Sequence, residues 1–178
     1  MQIALLAAIT ADGFIGKDKD DRSFDWTSAE DKKFYVSHLK QSDAIIIGRQ
    51  TFNTFHRYPK NSHWYIYTSQ PEKFAAPTTP TVQFEATNVP PAELLEQLKA
   101  KGYSSVALCG GSSIYSLFLQ AGLVDKLYLT VEPLVFGTGI PLFSEDLGKL
   151  PLKLVQTHSL SSQTLVLEYE VVSRQTMK

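Results

Sequence analysis

The sequence predicts an α/β domain built on one mixed, mostly parallel sheet with helices on both of its faces. Short apolar runs alternate with helix-type patterns along most of the chain, which is typical of parallel strands joined by helices. The last two apolar runs have no helical pattern between them and are joined by the polar stretch 159–163, a connection of hairpin length. We therefore expect the sheet to end in an antiparallel hairpin.

Eight segments have the length and apolar character of strands. The first of them begins in MQIALLAAIT, which has no basic residues before its apolar run and is too short to cross a membrane, so it is interpreted as a strand and not as a targeting signal. The eight expected strands cover residues 3–9, 44–48, 63–68, 82–85, 106–109, 126–132, 153–158 and 164–172.

Four helices fit between these strands. Pro91 is well placed to begin one of them, because proline is favoured at the first helical position. The expected helices cover residues 28–40, 49–54, 91–101 and 112–120. No internal repeat divides the chain, so we expect one domain over residues 1–174 and a short tail over residues 175–178.

The composition excludes several classes of function. With 17 Lys and Arg against 18 Asp and Glu, and no basic run, the chain lacks the charge pattern of a nucleic-acid-binding protein. No segment is long enough to span a membrane, and the histidines show no metal-ligand spacing, so neither a membrane nor a metal is expected. Cys109 is the single cysteine, which excludes an intrachain disulfide and favours the cytoplasm.

Two irregular segments, residues 11–27 and 133–152, are long for a compact domain. Long ordered loops often carry function, and the first one follows the first strand directly, so it is a candidate lid. Its charged run DKDDRSFD is equally consistent with a solvated surface loop.

The segment WTSAED, which leads into the first long helix, contains the first candidate site. Thr27 and Glu30 have the spacing of a capping box, in which each side chain bonds the other residue's backbone amide. Asp31 then lies on the same row of the helix as Tyr35 and Leu39. It is either an exposed acid favoured by the helix dipole or a partly buried carboxyl of raised pKa that binds and protonates an amidine-like heterocycle.

Two strand–turn–helix segments are candidate phosphate sites. IIIGRQTF places a glycine, an arginine and a threonine at a helix start, and LCGGSSIY places two glycines there. The second segment does not match the dinucleotide-binding pattern G-x-G-x-x-G, and a plain tight turn is its simpler interpretation. Two such sites in one domain nevertheless suggest a ligand with phosphates at more than one place, such as a dinucleotide.

Taken in order, these segments resemble the dihydrofolate reductase superfamily over nearly the whole chain. The resemblance implies a dihydrofolate reductase-like fold and hydride transfer from NADPH to a C=N bond of a pterin or a related small heterocycle, with Asp31 orienting and protonating the ring. The resemblance rests on five features: AAITADGFIG, a tryptophan followed five residues later by an acid, IIIGRQTF, LCGGSSIY and LYLTVEP.

The resemblance also implies which residues hold NADPH. It places backbone groups at the nicotinamide carboxamide, polar groups at the phosphates, and a glycine pair, often joined by a cis peptide, beside them. The expected residues are Ala8, Ile15 and Gly16 at the carboxamide, Gly48, Arg49 and Thr51 at the phosphates, Ser69 beside the adenosine, and Gly110, Gly111, Ser112, Ser113, Ile114 and Tyr115 around the glycine pair.

On the substrate side, Asp31 corresponds to the acid that binds the pterin and Thr130 to the threonine linked to it, with Glu30 as the alternative acid. The arginine that binds the glutamate tail of folate is missing, since Ser62 stands in its place. The other expected substrate contacts are Leu6, Ala8, Tyr35 and Cys109, with Arg57, Lys60 or Lys32 as replacements for that arginine.

The main functional expectation is a dihydrofolate reductase, because of the tryptophan-to-acid spacing and the Gly-Arg-x-Thr segment. The alternative is a riboflavin-pathway reductase acting on a ribosylamino-pyrimidine phosphate, which is favoured by the GTGIPLF segment and the missing tail arginine. A non-catalytic nucleotide-binding module is a third possibility. Dihydrofolate reductases are commonly monomers and the riboflavin-type enzymes commonly dimers, so a monomer or a homodimer is expected.

Overall fold

A single eight-stranded sheet forms the centre of the computed structural model, which describes residues 1–172. Strand β1 lies between β6 and β7 and is parallel to both. The order across the sheet is β5-β4-β3-β6-β1-β7-β10-β9. The strands are β1 (Gln2–Thr10), β2 (Phe14–Gly16), β3 (Ala44–Gly48), β4 (His63–Tyr67), β5 (Gln83–Thr87), β6 (Ser105–Leu108), β7 (Lys126–Glu132), β8 (Ile140–Pro141), β9 (Leu152–Ser159) and β10 (Leu165–Val171).

The predicted α/β fold is confirmed, including the antiparallel hairpin of β9 and β10 at one edge of the sheet. The predicted strands are present, and their bounds differ from the prediction by no more than two residues. The helices are α1 (Ser23–Trp26), α2 (Ala29–Gln41), α3 (Arg49–Phe52), α4 (Pro91–Ala100) and α5 (Ser112–Gln120), with a 3-10 turn at Pro71–Lys73.

Some short elements were not predicted. The loops 11–27 and 133–152 contribute β2 and β8, which pair with each other as a separate two-stranded sheet. The first loop also contains the single-turn helix α1. Elements of two to four residues are too short to show a hydrophobic period, so the sequence carries no signal for them.

Two apolar layers cover the sheet. On one face, Leu94, Leu95 and Leu98 of α4 and Phe118 of α5 pack on the strands, and Leu94, Leu98 and Phe118 are fully or almost fully buried. On the other face, the core contains Leu39 of α2, Phe52 of α3 and the buried side chains of β3 and β4. Strand β3 is buried along its whole length, as expected of a parallel strand covered on both faces.

The strand order fixes where a ligand would bind. The chain fills the sheet on both sides of β1, and in open α/β sheets ligands bind at the carboxyl ends of the strands beside such a reversal of strand order. The turns that follow β3 and β6 both lie at this edge, because the two strands are parallel neighbours.

The predicted tail, residues 175–178, lies outside the described residues, and the domain boundary at residue 174 stays a prediction. Within residues 1–172, no helix is both long enough and apolar enough to cross a bilayer.

Replacing Phe118 by alanine is expected to lower the free energy of unfolding by about 3–5 kcal/mol, because a fully buried aromatic side chain is lost and a cavity is left. Leu117→Ala is the matched control on the same helix, since Leu117 is 38% exposed, and should cost less than about 1 kcal/mol. Urea unfolding of both variants measures the difference. Equal losses would show that α5 does not contribute to the core in this way.

Candidate active site

A cleft of about 670 Å³ opens at the carboxyl ends of the central strands. Its lining comes from β1, from the ends of β3, β4 and β6, from the first turns of α2, α3 and α5, and from loop 11–27. Residues that the sequence places in three separate motifs therefore meet at one site.

Most of the predicted site residues line this cleft. The exceptions are Glu30, Lys32, Arg57, Lys60, Gly110 and Thr130, of which Thr130 is buried behind Asp31 and Arg57 and Lys60 are exposed. The predicted residues in the lining are Leu6, Ala8, Ile15, Gly16, Asp31, Tyr35, Gly48, Arg49, Thr51, Ser69, Cys109, Gly111, Ser112, Ser113, Ile114 and Tyr115.

The first turn of α2 brings Asp31 into the cleft. The predicted capping box of Thr27 and Glu30 is wrong, because Ser28 is the N-cap and its hydroxyl accepts the Asp31 amide at 3.1 Å. Thr27 instead ends the single turn of α1, where its amide donates to the Ser23 carbonyl at 2.9 Å. Helix α2 therefore starts one residue later than a capping box at Thr27 requires, and Asp31 occupies its third position.

The Asp31 carboxyl is 6% exposed. Burial raises its pKa, since an ionised carboxylate loses hydration there, and the nearby charge of Glu132 raises it further. The hydroxyls of Thr130 and Thr27 and the charge of Lys32 act in the opposite direction. The site thus contains a carboxyl that binds its proton more tightly than an ordinary aspartate does.

Aromatic rings surround the part of the cleft next to Asp31. The Phe24 ring lies 6.2 Å from the Tyr35 ring and 5.2 Å from the Phe55 ring, with both pairs nearly perpendicular. Phe24 and Phe55 were not predicted, because neither belongs to a sequence motif or to a long periodic element. We expect a flat ring to bind between these side chains, since aromatic pairs favour stacked and edge-to-face contacts.

Cys109 also lines this part of the cleft. Burial raises the pKa of its thiol to about 12, so the thiol is neutral near pH 7. Because the nucleophilic form of cysteine is the thiolate, Cys109 is a small packing residue here and not a nucleophile.

Gly48 and Gly111 line the opposite part of the cleft, and Gly110 lies directly next to them. Gly110 and Gly111 are joined by a cis peptide, and the Gly48 amide donates to the Gly110 carbonyl at 2.6 Å. Gly110 has a φ of +85°, and a Cβ on it would lie 2.6 Å from the Tyr115 ring. A Cβ on Gly111 would lie 3.0 Å from the Thr51 hydroxyl. A side chain at Gly110 would therefore collide with Tyr115, and one at Gly111 would press on Thr51.

The start of α5 next to these glycines suits an anion. Ser112 is its first residue, and the Ser112 hydroxyl is buried without a hydrogen-bond partner among the described residues. Such a group costs free energy unless a bound molecule pairs with it, and helix N-termini favour phosphates. Arg49, the first residue of α3, also lines this region. Because α3 is a single turn, it offers an anion the Arg49 side chain and not a helix dipole.

Loop 11–27 contributes directly to the cleft through residues that include Asp18, Lys19 and Phe24. It is held to loop 133–152 by the β2–β8 pair and by the Asp12 carboxylate, which accepts the amide of Gly137 at 2.7 Å. The Lys17 ammonium donates to the Phe136 carbonyl at 2.7 Å. The candidate lid is therefore an ordered wall that involves both long loops.

This fold, with its strand order and glycine pair, places the protein in the dihydrofolate reductase superfamily. The chain belongs to the RibD C-terminal domain family, whose sequence profile matches residues 2–166. It is 31% identical over 179 residues to YyaP of Bacillus subtilis strain 168, with 94% of each protein covered.

Two solved structures of similar fold are instructive. The diaminohydroxyphosphoribosylaminopyrimidine deaminase/5-amino-6-(5-phosphoribosylamino)uracil reductase of Thermotoga maritima is 19% identical with a TM-score of 0.75, and the match covers 96% of this chain and 56% of that one. The dihydrofolate reductase of Enterococcus faecalis, complexed with NADP(H), is 22% identical with a TM-score of 0.67 and 97% coverage of both chains.

The expectation of dihydrofolate reductase activity is wrong, because the family that matches is the RibD C-terminal domain family. The structure offers a physical reason at the position of the missing tail arginine. Ser62 is buried, accepts the Trp64 indole N–H at 2.8 Å and donates to the Pro59 carbonyl at 2.6 Å. It therefore acts within the core and presents no charge to a carboxylate tail.

Replacing Asp31 by asparagine is expected to raise the free energy of unfolding near pH 7.5, by on the order of 1 kcal/mol. When the pKa of a carboxyl is higher in the folded state than in the unfolded state, the native state becomes less stable as the pH rises from the unfolded-state pKa through the folded-state pKa. Below the ordinary value of 3.8 both states are protonated, so the gain should disappear.

Urea unfolding at several pH values from 3.5 to 7.5 measures this difference. Glu30→Gln, at the neighbouring half-buried acid, is the control and should stay within about 0.5 kcal/mol of the wild type. An Asp31→Asn variant that gains no stability at pH 7.5 would contradict the assigned environment of this carboxyl.

Proposed function

We propose that this protein is an NADPH-dependent reductase of the riboflavin-pathway type, which reduces a ribosylamino-pyrimidine phosphate. The observation that carries the proposal is the buried carboxyl of Asp31 in the same cleft as the Gly110–Gly111 pair. The cleft thus combines a proton donor with backbone groups that could bind a dinucleotide. Membership of the RibD C-terminal domain family supports the substrate class.

The residues around the glycine pair fit the cofactor. The buried Ser112 hydroxyl and the start of α5 would bind the pyrophosphate, and the Gly111 backbone is bare enough for close approach. Arg49 and Thr51 would bind a further phosphate, which favours NADPH over NADH. The neighbour of similar fold from Enterococcus faecalis is a complex with NADP(H).

A ribosylamino group opens to a C=N bond between the sugar carbon and the ring-bound nitrogen. NADPH, when bound, supplies the hydride that goes to this carbon. Asp31 would give its proton to the nitrogen, so that the C=N bond becomes a C–N single bond with one new hydrogen on each atom, and would regain a proton from water. The raised pKa of Asp31 keeps the acid form available nearer to neutral pH.

The walls of the cleft would position the two reactants. Phe24, Tyr35 and Phe55 would bind the flat pyrimidine ring, while loop 11–27 limits the entry of water. Correct orientation of two bound reactants is worth up to about 7–11 kcal/mol of the barrier. We also propose the cytoplasm as the place of action, since Cys109 is a lone buried thiol.

The test is NADPH oxidation, followed by absorbance, with the ribosylamino-pyrimidine phosphate and with dihydrofolate as separate substrates. We expect turnover with the first compound only, and a loss of roughly 10²–10⁴-fold in kcat/KM for Asp31→Asn near neutral pH, as for removal of a general acid. Tight NADPH binding without turnover of the pyrimidine would overturn the proposal and favour a binding module.

Arg49→Gln is expected to weaken NADPH binding by roughly 10–100-fold, because a charge-assisted contact with a phosphate contributes about 1.5–3 kcal/mol. NADH binding should change much less. Calorimetry with both cofactors measures this. Arg57→Gln is the control, since Arg57 is exposed and does not line the cleft. Equal weakening for both cofactors would show that Arg49 does not contact the extra phosphate.

A further inference from the structure

Glu132, at the end of β7, is a buried acid that the sequence motifs did not single out. Glu132 is only 2% exposed, and both of its carboxylate oxygens accept hydrogen bonds. One oxygen accepts the backbone amide of Ser28 at 2.8 Å, and the other accepts the Thr164 hydroxyl at 2.9 Å. Hydrogen bonds to both oxygens hold this carboxyl group in place from two sides.

Glu132 bonds the residue that caps the helix carrying Asp31. Ser28 is the N-cap of α2, and its hydroxyl accepts the Asp31 amide at 3.1 Å. Glu132 is therefore linked to Asp31 through one residue. Since Glu132 lies in the sheet, paired with Thr10 of β1, this link fixes the first turn of α2 to the sheet.

The alternation of β7 brings Thr130 and Glu132 to the same face of the sheet. The Thr130 hydroxyl acts on the Asp31 carboxyl, and Glu132 acts on the helix start beside it and adds a negative charge. Neither Thr130 nor Glu132 lines the cleft. Both therefore act on the substrate side only through Asp31.

We propose that Glu132 is a positioning residue, which holds the first turn of α2, and with it Asp31, against the end of β7 and places a second acid beside the Asp31 carboxyl. The proposal rests on the proposed function, because it gives Glu132 a role in the supply of the proton. A second acid beside Asp31 disfavours the ionised form of the Asp31 carboxyl, because like charges repel.

The other charged and titratable groups around Asp31 do not replace Glu132. Lys32, on α2, lowers the pKa of Asp31. Tyr35 on α2 and Tyr115 on α5 have pKa values raised by burial, so both are neutral near pH 7. Glu30 precedes Asp31 on the helix in a half-buried position. Glu132 is thus the buried acid that faces Asp31 from the sheet.

The experiment compares Glu132→Gln and Glu132→Asp with the wild type. Glutamine keeps the size and the acceptor for Ser28 but removes the charge, so the high-pH fall in kcat/KM should move down by about one pH unit. Aspartate keeps the charge but is shorter, so kcat should fall while the pH profile stays in place. Thr164→Ser keeps both the hydroxyl donor and the charge of Glu132 and serves as the control, with an unmoved profile.

A direct titration of Asp31 by NMR in the free protein separates this proposal from the proposed function. A downward shift of that titration in Glu132→Gln, without any reductase activity in the wild type, would leave Glu132 its role and reject the function. A folded Glu132→Gln protein with the wild-type titration of Asp31 would overturn the role of Glu132. The titration needs no turnover, and thermal unfolding reports whether each variant is folded.

Discussion

The burial of the Asp31 carboxyl against β7 is the constraint on which the site depends. A carboxyl removed from water costs free energy unless it is protonated or paired, and the surrounding groups balance these two outcomes. Hydroxyl groups from Thr130 and Thr27 stabilise the ionised form, whereas burial and Glu132 favour the protonated form. The helix start, the strand end and the proton chemistry are therefore parts of one arrangement and cannot be changed independently.

The cleft brings two different kinds of surface together. Beside Asp31 it is aromatic and largely made of side chains, and beside Gly110 and Gly111 it is made of backbone. The first kind of surface suits a flat ring by shape, and the second presents backbone groups that side-chain substitutions other than proline leave in place.

Much of the fold could be predicted because long elements carry a period. The buried run of β3 and the leucines of α4 are clear signals, and both elements were placed within one residue. The start of α2 was misplaced by one residue, because Thr27 and Ser28 are equally good caps in sequence and only the turn of α1 decides between them. Phe24 and Phe55 reach the cleft through loop paths that no local pattern encodes. The function was misjudged because motifs shared by a whole superfamily do not distinguish its members.

The pairing of the two long loops has a consequence for how the protein could diversify. The Asp12 carboxylate accepts backbone amides of the second loop, and the Lys17 ammonium donates to a carbonyl there, so these contacts need two side chains of the first loop but only the backbone path of the second. An insertion or deletion in one loop would leave the other without its anchor. Descendants with new substrate preferences should therefore accumulate matched length changes in both segments, while point substitutions such as those at Phe24 remain free to occur singly.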